Sequence, residues 1–196
     1  MSVLGRFLAI FMLLPLMGAC GVRVVVKPPP EPVRTEQTDT WLKAVQAKAQ
    51  DGDWLVLRGY HDTDDLVAAA TNFPLSHAVV VDRTRGEIIE AIGAGVGTMT
   101  LRQRMHEAHR VVLVRPKWWT EERGKAAVKF ARSKIGASYD FLGTVGAGHK
   151  ERYYCTELAK DGYNDHIDRD EHFPTVLEPG HMMLYGTILF DSGARN

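Results

Sequence analysis

The chain has 196 residues, and its 24 lysines and arginines balance 24 aspartates and glutamates. With no basic block it lacks the electrostatic footprint of a nucleic-acid-binding protein. Its length allows one domain with a buried core, and only two cysteines are available for covalent or redox chemistry.

Residues 1–19 read as a signal peptide. Arg6 is the lone early positive charge, residues 7–17 form an almost unbroken apolar run, and Gly18 and Ala19 supply the small residues a signal peptidase needs. The run is too short to cross a bilayer as a helix. Leu16-Met17-Gly18-Ala19-Cys20 resembles a bacterial lipobox, in which Cys20 becomes the lipid-bearing first residue of the mature protein. An ordinary cleaved signal peptide or an N-terminal anchor is the alternative. No later segment is long and apolar enough to span a membrane, so attachment is expected through lipid on Cys20 alone. Gly21 stands where an aspartate favours inner-membrane retention, which points the anchor toward an outer membrane if the host has one.

Residues 20–40 read as a lipidated, Pro-rich tether: Lys27-Pro28-Pro29-Pro30-Glu31-Pro32 is stiff and extended, and 33–40 is mostly polar. Val24-Val25-Val26 interrupts this, with an edge strand packed on the domain as one reading. The domain is expected over 41–196. Its first helix spans 41–50, with Trp41, Leu42, Val45 and Ala49 near one face. Asp51-Gly52-Asp53 is a turn before a short strand at 54–57. A short helix follows at 66–70, stopped before Pro74. Strands at 76–82 and 87–92 flank the turn Arg83-Thr84-Arg85-Gly86. Residues 93–97 form a Gly-rich loop without the Lys-Ser/Thr of a phosphate loop. A helix at 101–108, a strand at 111–114, a long helix at 121–135, a helix at 155–163 and a last strand within 182–190 complete the pattern. Such alternation implies an α+β fold, a compact antiparallel sheet with packed helices.

If Cys20 carries lipid, Cys155 is left as a lone thiol in an exported chain, either an intermolecular partner or a reactive group. It sits in Tyr153-Tyr154-Cys155-Thr156-Glu157-Leu158, at the start of a helical pattern. Free N–H groups at a helix N-terminus favour the thiolate and suit an oxyanion. A thiol nucleophile needs a base, and the base needs an orienting group. With the 76–92 hairpin centred between Arg83 and Thr84, His77 falls directly opposite Glu90, within contact distance. A one-residue bulge at Gly86 would put Glu90 on the other face. Tyr153 and Tyr154 are candidates to flank a substrate groove.

Bland roles stand beside these. The alternative for Cys155 is a buried structural thiol, for His77 a core histidine and for Glu90 a surface strand residue. His149 is a rival base. His166, Asp168, Asp170 and His172 fit no common zinc spacing and read as a solvated loop. Trp118-Trp119 reads as packing at a helix entrance, and Asp140 as a loop brace.

The order of Gly52-Asp53-Trp54-Leu55-Val56, Ser76-His77-Ala78-Val79-Val80-Val81, Ile89-Glu90-Ala91-Ile92-Gly93, Tyr139-Asp140-Phe141 and Tyr154-Cys155-Thr156-Glu157-Leu158 resembles the circularly permuted, YiiX/YaeF-like branch of the NlpC-type papain-like cysteine hydrolases. There the histidine precedes the cysteine. The resemblance covers about residues 50–190, with Thr156 where serine is more usual. It implies Cys155 as nucleophile, His77 as base and Glu90 as third polar residue, with neither metal nor cofactor. It also implies an amidase or peptidase, and the envelope location suggests cell-wall peptide as substrate. An acyltransferase or thioesterase acting on lipid-linked acyl groups, and a non-catalytic binding lipoprotein, are the alternatives.

Overall fold

The computed structural model describes residues 25–195. The signal peptide and Cys20 lie outside the described residues. Among the described residues, five α-helices and six strands follow in the order α1 (Glu31–Gln46), β1 (Trp54–Gly59), α2 (Asp62–Thr71), β2 (His77–Asp82), β3 (Glu87–Ile92), β4 (Gly95–Thr100), α3 (Leu101–His106), β5 (Ala108–Pro116), α4 (Glu121–Ser133), α5 (Cys155–Asp161) and β6 (Gly186–Asp191). The strands form one antiparallel sheet ordered β4-β3-β2-β1-β5-β6.

Both faces of this sheet are covered. On one, Trp54, Val56, Ala78, Val80 and Ile89 pack against Ala127, Val128 and Ala131 of α4 and Leu158 and Ala159 of α5. On the other, Leu55, Leu57, Val79, Val81 and Ile88 pack against Trp41 and Val45 of α1 and Leu101 and Met105 of α3. Double coverage is why the central strands read as continuous apolar runs without alternation. Trp54 fastens the cysteine helix to the sheet. Its ring is fully buried against Trp118 and Tyr163, and its indole N–H donates to the Ala159 carbonyl at 3.1 Å.

The tether expected over 20–40 is corrected in its second half. Helix α1 starts at Glu31, ten residues ahead of the helix expected from Trp41, and ends at Gln46. Pro32 stands in the first turn, where a missing N–H and a fixed φ cost nothing. The polar look of 33–40 hides a narrow buried stripe of Thr38, Trp41 and Val45. Arg195 satisfies that stripe from the far end of the chain: its guanidinium donates to the Arg34 carbonyl at 2.6 Å and to Thr38 Oγ1 at 2.9 Å, and lies over the Trp41 ring. Val25 and Val26 form no strand, although Val26 is buried. The domain thus extends N-terminally beyond 41.

The Gly-rich loop expected at 93–97 is also corrected: Gly95 and Gly97 belong to β4, facing Ile92 and Glu90 of β3. Glycine is needed at 95 because φ is +109° and a Cβ would meet the Ala137 carbonyl oxygen at 2.6 Å.

Candidate active site

The β2–β3 register departs by two positions from the expected one. Asp82 faces Glu87, Val81 faces Ile88 and Val80 faces Ile89. The cause is the turn, in which all four residues 83–86 stay outside the ladder and Gly86 takes φ +68°. A two-residue shift keeps every side chain on its face. His77 and Glu90 therefore still share a face, but diagonally. They meet by reach: His77 Nε2 lies 2.7 Å from Glu90 Oε2, and both side chains are buried.

Cys155 opens α5, which packs against β2 and β3. Its sulfur is in hydrogen-bonding contact with the His77 ring and with the backbone at Ala78 and Thr156. With Nε2 committed to Glu90, Nδ1 is the ring nitrogen available to the thiol. A carboxylate that holds Nε2–H leaves Nδ1 as the acceptor in the neutral ring.

The electrostatics of the three groups favour charge separation. Burial pushes the Cys155 thiol up, but hydrogen bonding and charge attraction from His77, with help from the Ala78 and Thr156 backbone, bring it below its ordinary value. Burial pushes His77 down, and its contacts with Cys155 and Glu90 overcome this and raise it to about 10. Burial pushes Glu90 up, and His77 and Arg104 together hold it down to about 2. All three shifts run in the direction of a thiolate–imidazolium–carboxylate row.

Glu90's low value carries a stability prediction. A carboxyl depressed on folding stabilises the native state above its unfolded value, near 4.5, and that contribution fades as pH falls through about 2. Melting temperatures of wild type and Glu90→Gln should therefore converge as pH drops from 5 toward 2. Curves that stay parallel across that range would contradict the assignment.

The surroundings of the thiol come from the segment between α4 and α5. Tyr139 and Tyr153 form an isolated parallel bridge, and Asp140 N–H donates to the Tyr153 carbonyl at 3.1 Å. The Tyr139 phenol is pushed up, by burial first and then by the negative charge of Cys155. Asp140 is buried and braces the following loop, accepting from the N–H groups of Gly143 at 2.9 Å and His149 at 2.7 Å. That loop and α5 enclose a cleft of about 290 Å³ lined by Gly143, Gly146, Gly148, His149, Lys150, Tyr154, Glu157 and Thr175. Tyr154 is thus a cleft wall, whereas Tyr153 is buried in the core beside Phe130. Glu157 is pushed up to about 7, by burial first and then by Asp161.

The geometry bears on two rival readings, His149 and Trp118. The ring partner of the thiol is His77, while His149 lines the cleft. Trp118 is core, stacked with Tyr185 and against Phe173. Among the described residues no group of three or more His, Cys, Asp or Glu is placed to hold a metal ion, the 166–172 segment included.

Arg104 is the residue that sequence reasoning missed. It is buried on α3, and its Nη1 donates to the same Glu90 Oε2 at 3.0 Å. The available signal was its spacing: positions 101, 104 and 105 share the inner face of α3, so an arginine there points into the protein beside Leu101 and Met105.

This geometry has known relatives. A family model described as permuted papain-like amidase enzyme, YaeF/YiiX, C92 family, matches residues 51–182, well over half of the chain. The chain belongs to the permuted papain-like amidase family. The match spans β1 through the 155 helix, including all three polar groups of the row, in the permuted order with histidine first. No curated protein matches the chain. Among solved structures, the crystal structure of metalloprotein yiiX from Escherichia coli O157:H7 is similar, with a TM-score of 0.52 and 22% identity over 61% of this chain and 67% of that one. This likeness concerns the fold.

Proposed function

We propose that this permuted papain-like amidase is a lipid-anchored cell-envelope cysteine hydrolase in which Cys155 is the nucleophile, His77 the base and Glu90 the orienting carboxylate. One observation carries the reading: a buried thiol at the start of α5 touches a histidine that a buried carboxylate holds by its other nitrogen.

The reaction follows from that arrangement. The Cys155 thiolate attacks the carbonyl carbon of an amide, and the C=O π pair moves to oxygen. The N–H of Cys155, at the first position of α5, has no partner within the helix and is free to meet the oxyanion. The oxygen pair returns as the C–N bond breaks, and the imidazolium of His77 gives its proton to the leaving nitrogen. Neutral His77 then takes a proton from water, whose oxygen attacks the thioester. Collapse releases the carboxylic acid and restores the Cys155–His77 pair. Glu90 keeps the ring oriented and stabilises it while positive.

We place the substrate in the cleft walled by Tyr154, the residue before Cys155, and assign it to peptide amides of the cell wall. Support for the envelope location comes from the lipobox-like sequence ending at Cys20, with the outer membrane favoured. A second reading, transfer of the acyl group to an amine or alcohol, draws on Phe141, Leu142 and Val145. These three exposed apolar side chains follow Tyr139 and offer a platform for an acyl chain. Incubating the full chain with cell-wall peptides and, separately, with acyl esters plus an amine acceptor separates the two. Amide cleavage with a thioester trapped on Cys155 supports hydrolysis. Ester turnover that rises with acceptor concentration, without amide cleavage, supports transfer.

A further inference from the structure

We infer that Arg104 is a positioning residue of the active site, fixing Glu90 so that Glu90 can hold His77. This rests on the catalytic reading above and extends the row by one member. Glu90 Oε2 accepts from two donors, His77 Nε2 at 2.7 Å and Arg104 Nη1 at 3.0 Å. One oxygen held by two donors leaves the carboxylate little freedom to rotate away. Arg104 is anchored in turn, since its Nη2 donates to Glu107 at 2.9 Å.

Four groups therefore stand in a line of alternating sign: Cys155, His77, Glu90 and Arg104. Their exposures are 8%, 9%, 3% and 5%, so water screens none of them effectively. With Arg104 the row sums to zero charge. Without it the site holds one net negative charge in a dry place, which is costly and is relieved by protonating Glu90 or the thiolate. The arginine thus extends the pH range over which the thiolate survives on its acid side.

The charged and titratable groups around this line come from every packed element. His77 comes from β2, Cys155 from α5, and Tyr139 faces the thiol from the segment after α4. On α3 itself is Glu107, with His61 ahead of α2 lying 4.0 Å from it. Arg104 is the cation that meets the same Glu90 oxygen as His77.

The test is the pH profile of iodoacetamide alkylation at Cys155, followed by mass spectrometry on its peptide so that Cys20 does not contribute. Wild type is compared with Arg104→Met, Arg104→Gln and Arg104→Lys in the full chain. An opposite charge at this range holds a carboxyl down by about 1–3 units, so losing it should move the acid limb up by about one unit or more. Alkylation below the limb then slows about tenfold. Both neutral variants should shift, and lysine should return the limb toward wild type. A merely structural arginine would lower the melting temperature and leave the limb in place. The proposal fails if either folded neutral variant keeps the wild-type limb, or if lysine shifts it as far as methionine does. If wild type itself alkylates as an ordinary thiol, the catalytic reading fails first and takes this one with it. A low wild-type limb that ignores Arg104 overturns this proposal alone.

Discussion

Cys155→Ala should abolish amide hydrolysis, with a loss of about 10⁴-fold or more in kcat, while the protein stays folded. The loss is this large because the thiolate is the group that forms the covalent bond, and nucleophile removal leaves only binding and oxyanion stabilisation. The fold should survive because the substitution deletes one sulfur from a side chain at the mouth of α5. The apolar contacts of that helix come from Leu158 and Ala159 and its tie to Trp54, all untouched. His77 should respond: with the thiolate gone, one of the two partners that raise it to about 10 is lost, and its titration should move down. Steady-state assay, circular dichroism and an NMR titration of His77 read these together. Activity within tenfold of wild type would exclude Cys155 as nucleophile.

His77→Ala should cost about 10³-fold or more, the range expected when a general base that also carries the leaving-group proton is removed. The variant should fold without an orphaned buried charge, because Glu90 keeps Arg104 as partner. Its thiol, however, loses the attraction and hydrogen bond that outweigh burial, so Cys155 should rise toward or above the ordinary value of ~8.5. Activity at neutral pH then falls, and what remains should climb as pH rises. Loss of activity with an unmoved thiol titration would assign His77 to substrate binding instead.

How much of this was legible in the sequence depends on how local each feature is. The central strands were plain because both faces of the sheet are covered, so residues 54–57, 78–81 and 111–114 read as apolar runs. The site was legible through order and parity. His77 sits at the head of one strand, Glu90 on the next and Cys155 at a helix start, and an even register error leaves the pair on one face. The error itself came from centring the turn between Arg83 and Thr84, whereas the four-residue turn 83–86 is centred one residue later, between Thr84 and Arg85. Helix α1 was hidden because its buried face is only Thr38, Trp41 and Val45, and the arginine that completes it lies at residue 195. Strand β4 was hidden by its glycines, of which Gly95 serves a close approach to residue 137. Arg104 was hidden because its meaning depends on a carboxylate on strand β3, a contact between residues fourteen apart that no helical periodicity encodes.

The most direct test of the account is the pH dependence of Cys155 alkylation in the full chain, wild type against His77→Ala. A buried thiol paired with an imidazolium should react rapidly well below ~8.5 and lose that acid-side reactivity when His77 is removed. Slow alkylation that titrates as a free thiol in both proteins would contradict the ion pair and, with it, the hydrolase mechanism built on these residues.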